Sequence, residues 1–217
     1  MKSFSNNPNK LKQTILLKEA LREYDIDPKN CRIQINHDLG FSIVNTIKLP
    51  IIFPKSFFES AKKYHDLDKK FMFYFNGNPG KNNNRKDLLK DFIDRDDSKI
   101  VFTNDGRIVE NKGKVNEEYF SEMAQSHYSL APHQPNWKGD VDALWTYRYI
   151  ECLMLKTIPV QFKSTPLSPK FTAGTIYKWN DETFDKLPSA QDLEQNYNNA
   201  KLRFSLSKKQ IKEIRRN

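Results

Sequence analysis

A chain of 217 residues suits one large or two small domains, and its 37% hydrophobic content, with 15 Phe, 9 Tyr and 3 Trp, excludes a disordered composition. No apolar run approaches the ~20 residues of a membrane-crossing helix, and two distant cysteines, Cys31 and Cys152, point to neither a zinc site nor a disulfide framework. The formal charge of +9 favours anionic partners: nucleic acid, an acidic membrane surface or phosphorylated small molecules.

The opening MKSFSNNPNK lacks the apolar stretch of a secretory signal, so the expected location is cytoplasmic. From Asn9 to Tyr24, Ile15, Leu16, Leu17, Ala20 and Leu21 recur at the spacing of an amphipathic helix. The alternation in Cys31 to Ile35 predicts a short strand, and Asn36 to Phe41 reads as a loop. Apolar side chains surround Pro50 between Ile47 and Phe53, and Lys55 to Tyr64 has the makings of a brief helix after Pro54. The continuous run Phe71 to Phe75 predicts a strand buried on both faces, stopped by Asn76-Gly77-Asn78-Pro79-Gly80.

Beyond that loop, Leu88, Leu89 and Phe92 predict a helix over Arg85 to Ile93, and Lys99 to Thr103 a strand. Asn116 to Gln125 reads as helix, His127 to Pro132 as strand, Tyr147 to Leu155 as a strongly apolar helix, and Thr157 to Phe162 as strand. Ser189 to Arg203 and Ser207 to Arg216 read as terminal helices with basic faces. Alternating strands and helices imply an α/β fold: a Rossmann-like parallel sheet with flanking helices and right-handed crossovers.

In such sheets ligands sit outside the carboxyl ends of the strands. The loop Asn76 to Arg85 has two glycines for close backbone approach and leads into a helix whose N–H groups suit an anion; without P-loop spacing it equally suits an ordinary surface turn. The long polar loop His133 to Arg148 also runs from a strand end to a helix start. Arg148 lies in that helix's first turn, where the dipole disfavours a cation unless an anion compensates it. Glu151, three residues on, projects from nearly the same face. The pair suits a diphosphate on Arg148 with ribose or sugar hydroxyls on Glu151, or a plain intrahelical ion pair.

Tyr147-Arg148-Tyr149-Ile150-Glu151 followed by Ile158-Pro159-Val160 resembles the exostosin-type pattern of an arginine, an acid three residues later, an apolar helix and Gly-x-Ile-Pro-Val. Phe73-Tyr74-Phe75-Asn76-Gly77, Arg85 and the stretch Tyr119 to Pro132 are similar to that family's other motifs, in the same order. The resemblance covers Lys69 to Lys186. It implies a glycosyltransferase of the two-domain GT-B type, with residues 69–188 as the nucleotide-sugar-binding domain, residues 1–68 as a reduced acceptor-side segment and residues 189–217 as C-terminal helices. By the same resemblance Arg148 and Arg85 contact the diphosphate, Glu151 the ribose or donor sugar, and Gly77 the adjoining loop. The donor is then a nucleoside diphosphate sugar, with UDP favoured, and neither a metal nor another cofactor is expected; the sequence offers no convincing ligand cluster for one.

Two departures stand out. Lys156 occupies the family's glycine position before Ile-Pro-Val, where a left-handed residue is often needed; a lysine there costs roughly 1 kcal/mol in conformation but suits the helix dipole. The segment ahead of the donor domain is also shorter than the roughly 100 residues of a full acceptor domain. The expected partners are therefore the nucleotide sugar, a glycan, lipid-linked or protein-bound acceptor, and a second copy or a partner subunit that completes the site.

An inverting transfer needs a base for the acceptor hydroxyl. His37 and Asp38, in the loop after the first strand, are the first candidates, although the same residues suit a solvated turn; His133, Asp140 and Asp142 come second. Trp137 and Trp145 are placed either to stack on a base or sugar or to anchor the long loop. His127 reads as a core or edge histidine. The competing functions are a non-catalytic nucleotide-sugar-binding subunit and a basic nucleic-acid-binding protein. The latter rests on the charge and on Lys208 to Asn217, a stretch equally suited to an anionic membrane surface; with no nucleic-acid motif, nucleic acid is not an expected partner.

Overall fold

The computed structural model describes residues 8–37, 39–80, 84–103, 116–133 and 145–216. Helix α1 (Pro8–Arg22) precedes three short strands, β1 (Ile33–Asn36), β2 (Phe41–Val44) and β3 (Ile47–Pro50), which pair as an antiparallel meander. The β2–β3 connection has only Asn45 and Thr46 between paired residues, and Asn45 takes the left-handed conformation that such a turn demands, with φ +56°. Its amide also accepts from the Arg32 N–H at 3.0 Å, fixing the turn across the sheet. Pro50 is tolerated because β3 is an edge strand.

After α2 (Lys55–Ala61) the chain enters the main sheet through β4 (Phe71–Gly77), α3 (Asn84–Leu88), α4 (Lys90–Ile93), β5 (Ser98–Phe102), α5 (Glu117–Ala124) and β6 (Ser126–Leu130). It continues through α6 (Tyr147–Met154), β7 (Ile158–Gln161), α7 (Pro169–Thr172) and the two-residue strand β8 (Lys178–Trp179), and ends in α8 (Ala190–Phe204) and α9 (Lys208–Arg216). The five strands are all parallel and lie in the order β5-β4-β6-β7-β8. This is an α/β fold with a parallel sheet flanked by helices, consistent with a Rossmann-like arrangement.

β4 shows why a continuous aromatic run makes a central strand. Phe73 and Phe75 enter a cluster with Leu89, Phe92, Tyr128, Leu130, Ile158 and Val160. Tyr74, on the opposite face, packs with α2, α5, α6 and α8. A third cluster joins α1, β2 and β3 to Leu206, Ile211 and Ile214 at the chain's C-terminal end. The last helix thus packs with the antiparallel meander, burying the apolar stripe of α9 while its lysines face outward.

The helix expected over Arg85 to Ile93 is interrupted. The Leu89 N–H is shared between the Arg85 and Lys86 carbonyls, both at 3.1 Å, and Leu89 sits at φ −95°, ψ 0°, which tightens the backbone and separates α3 from α4. Strands β2 and β3, the short α7 and the edge strand β8 were not among the predicted elements. Their lengths of two to four residues carry too little periodicity to read. Lys156 adopts φ +51° after α6, and the Thr157 N–H closes onto the Cys152 carbonyl at 3.1 Å. The strained lysine therefore caps the helix where a glycine is usual.

Candidate functional site

The order of the parallel strands creates a switch point. From β4 the chain moves to β5 on one side, then returns to β6 on the other, so the connections leaving β4 and β6 diverge at the strands' carboxyl ends, the place where parallel α/β sheets take their ligands. The two ladders of β4 also end at different points. The β4–β6 ladder stops at Tyr74↔Ser129, whereas β4–β5 continues to Gly77↔Phe102. The Gly77 carbonyl faces β5, where it accepts from Thr103 N–H at 3.1 Å. One residue earlier, the Asn76 carbonyl faces the opposite side, toward β6.

Arg148 fills this position. Its backbone N–H is capped by the Thr146 hydroxyl at the start of α6, and its side chain leaves the helix to donate from Nη2 to the Asn76 carbonyl at 2.6 Å. The guanidinium carbon lies 4.2 Å from the Phe75 ring centroid, a cation–π contact in a water-poor setting. The residue is 1% exposed, and both Nε and Nη1 are buried without a hydrogen-bond partner. Orphaned guanidinium donors are costly, and such groups in native folds call for an explanation.

Gly77 is required by this arginine. A Cβ there would lie under 3.0 Å from Arg148 Nη2, closer than real Cβ contacts come, although the backbone at Gly77 is not left-handed. The glycine therefore supplies space, not turn geometry, for the side chain that the sequence linked to it.

Glu151 is also 1% exposed, but it is turned to α5: its Oε2 accepts from the Tyr119 hydroxyl at 2.9 Å. Among the described residues Arg148 forms no ion pair with Glu151, so the simple intrahelical pair is not what holds either side chain. Tyr119 instead orients the carboxylate.

Arg85 sits at the head of α3, where Nη1 donates to the Asn78 carbonyl at 3.4 Å. Asn78 accepts from the Gly80 N–H at 2.7 Å and Gly80 has φ +86°, so the loop is an Asx turn. α3 is only five residues long and its second residue donates back to Pro79, so the strong dipole end expected of a longer helix is not formed here.

His133 is the residue whose importance the sequence understated. It lies three positions past the end of β6 and is 8% exposed. Its Nδ1 is 3.0 Å from the Trp145 carbonyl, which can only accept, so Nδ1 carries the proton and Nε2 presents a lone pair. Nε2 is buried and unpartnered. Burial holds the imidazole down to a pKa of about 4, against the opposing pull of the Trp145 carbonyl and with a smaller push from nearby Arg85.

His37 is brought to the same region. The Trp145 indole N–H donates to the His37 carbonyl at 2.8 Å, and the two rings stand 5.0 Å apart. Gly40, at φ +63°, lets the β1–β2 turn close on Trp145, since a Cβ there would press on the indole at 2.9 Å. Trp145 packs against Tyr147 and Phe171 and is buried, so it anchors the turn and is not open for stacking on a base or sugar. His127 lies half-buried in β6, its carbonyl accepting from Thr157. Asp38, Trp137, Asp140 and Asp142 lie outside the described residues.

Tertiary structure thus gathers Asn76, Gly77 and Arg148 at the end of β4, with His133 linked through Trp145 to both α6 and His37. Among the described residues no group of His, Cys, Asp and Glu could hold a metal ion. No helix among them is long and apolar enough to cross a membrane. Cys152 is fully buried, and burial pushes its thiol up to about 12, which removes it as a nucleophile. No protein-family model matches the chain, and no curated protein matches it at a significant level.

Proposed function

We propose that the β4–β6 switch point binds the diphosphate of a nucleotide sugar and that the chain is the donor-binding half of an exostosin-like, GT-B type glycosyltransferase. The carrying observation is the buried Arg148 guanidinium, with two donor nitrogens unmatched at the position where parallel α/β sheets take their ligands. A diphosphate offers the acceptor oxygens that these donors lack. Arg85 supplies a second cation from the head of α3, and Gly77 leaves room for the Arg148 guanidinium. Glu151, oriented by Tyr119, is the group assigned to ribose or sugar hydroxyls. The acceptor is a glycan, lipid-linked or protein-bound hydroxyl, as in polysaccharide or glycoconjugate synthesis, in the cytoplasm or at its membrane surface.

Because Arg148 is so deeply buried, donor binding is coupled to opening of the site, and slow association is expected. A second reading, a donor-binding subunit whose partner supplies the catalytic base, draws on one observation. The His133 imidazole is held near a pKa of about 4, which makes it a weak base at neutral pH.

A thermal-shift screen across nucleoside diphosphates and their sugars tests the donor site. A ligand at about 100 times its dissociation constant stabilises the fold by about 2.7 kcal/mol, and Arg148→Lys should abolish that shift by losing the planar fork. No shift with any nucleotide refutes the proposal. Slow release of nucleoside diphosphate from a bound donor, lost in the same variant, supports the enzyme; tight binding without turnover, alone or with acceptors, supports the subunit.

A further inference from the structure

His133 is not among the residues that the donor reading uses for the diphosphate, yet it is built as carefully as Arg148. Its ring is fixed by one hydrogen bond, from Nδ1–H to the Trp145 carbonyl, and Trp145 is itself fixed by the His37 carbonyl, Tyr147 and Phe171. The remaining ring nitrogen is buried with no partner. A buried acceptor without a donor costs free energy comparable to a lost hydrogen bond, and its retention just past the end of β6, the strand beside β4 where Arg148 holds orphaned donors, points to a ligand with both kinds of group.

The chemistry of that ligand follows from what each nitrogen can do. Arg148 Nε and Nη1 can only donate, so they take anionic oxygens. His133 Nε2, in the tautomer fixed by Trp145, can only accept, so it takes a hydroxyl or N–H. A fully ionised phosphate facing Nε2 would set lone pair against lone pair. Proton uptake that would relieve this clash is opposed by burial and by Arg85, the charged neighbour that bears on the ring.

Resting on the donor reading, we infer that His133 is a specificity-determining contact: its Nε2 accepts a hydrogen bond from a hydroxyl that the ligand carries beside its phosphates, so that the site selects hydroxyl-bearing phosphate esters over bare inorganic anions. In a nucleotide sugar that hydroxyl belongs to the transferred sugar or to the ribose. The contact would orient the donor without taking its proton, so His133 is a positioning residue in any transfer reaction.

Two substitutions separate the functions of the two nitrogens. His133→Asn retains an amide N–H at the position of Nδ1, keeping the bond to Trp145, but has no group at Nε2. His133→Gln places an amide near Nε2 and can restore an acceptor there. Calorimetric titration with UDP-glucose as the probe, at neutral pH, should show about a tenfold loss of affinity for His133→Asn, the equivalent of one hydrogen bond. His133→Gln should recover most of it, and thermal melts of both variants establish that they fold. Titration of the unsubstituted protein in two buffers of different ionisation enthalpy should show no proton uptake.

Equal affinity in His133→Asn overturns the inference while leaving the donor reading in place. So does proton uptake that disappears in that variant, because the ring would then be an imidazolium donating to phosphate. No binding of UDP-glucose or any other nucleotide sugar by the unsubstituted chain overturns the donor reading, and this inference with it.

Discussion

The coupling between Gly77 and Arg148 can be tested by the sign of a single substitution in two backgrounds. In the unsubstituted chain, Gly77→Ala puts a methyl group under 3.0 Å from Arg148 Nη2, so the guanidinium must leave the Asn76 carbonyl that it holds at 2.6 Å. Loss of one hydrogen bond to a charged group costs about 1.5–3 kcal/mol, and overpacking a dense site costs a similar amount, so the expected destabilisation is about 2–3 kcal/mol. In an Arg148→Ala background the next neighbour of the new methyl is Phe75 Cζ at 3.6 Å, an ordinary contact, and the backbone at Gly77 is not left-handed. There the same substitution should be neutral or stabilising by about 0.5–1 kcal/mol, because alanine loses less chain entropy than glycine. Urea unfolding of the four proteins gives the coupling, expected at about 2–4 kcal/mol. If Gly77→Ala costs the same in both backgrounds, Arg148 is not the reason for the glycine.

Arg148→Met should raise the stability of the free protein by about 1–3 kcal/mol while abolishing any nucleotide-induced thermal shift, since it removes a buried charge with two unmatched donors at similar volume; a clear loss of stability would show the guanidinium to be structural. His133 sets a pH dependence. Its folded pKa of about 4 lies below the unfolded 6.5, so between these values the unfolded chain holds the extra proton and stability falls as pH drops. Urea melts at about pH 7.5 and about pH 5 should show a loss of roughly 2 kcal/mol, absent in His133→Asn. Ile214→Ala, in the cluster that joins α9 to the meander, should cost about 2–4 kcal/mol by the same assay. Lys156→Gly relieves a lysine at φ +51° but gives up an ion pair to Glu194; a net gain of up to about 1 kcal/mol is expected, and a net loss would show the pair to matter more than the backbone.

The periodicity of the sequence determined the main elements of the parallel sheet. Phe71 to Phe75 could hardly be anything but a doubly buried strand, and the apolar spacing from Tyr147 to Leu155 marked α6. A cation in a helix's first turn singled out Arg148 from the residues themselves, whereas Gly77 and the left-handed position of Lys156 were marked by the resemblance to the exostosin-type pattern. What periodicity could not decide was which side chains share a space. The partner of Arg148 is a backbone carbonyl 72 positions away, exposed only because the β4–β6 ladder stops short, and a carbonyl leaves no mark in a sequence. In the sequence His133 stood only with Asp140 and Asp142 among the second candidates for a base. Its significance comes from a tautomer set by Trp145 and a nitrogen sealed from water, both products of packing that bring the meander, β6 and α6 together. The sequence by itself determined the main strands and helices and the misfit residues; tertiary structure decided which donors and acceptors are left orphaned at the adjoining ends of β4 and β6, because hydrogen bonding and desolvation depend on distance in space and not along the chain.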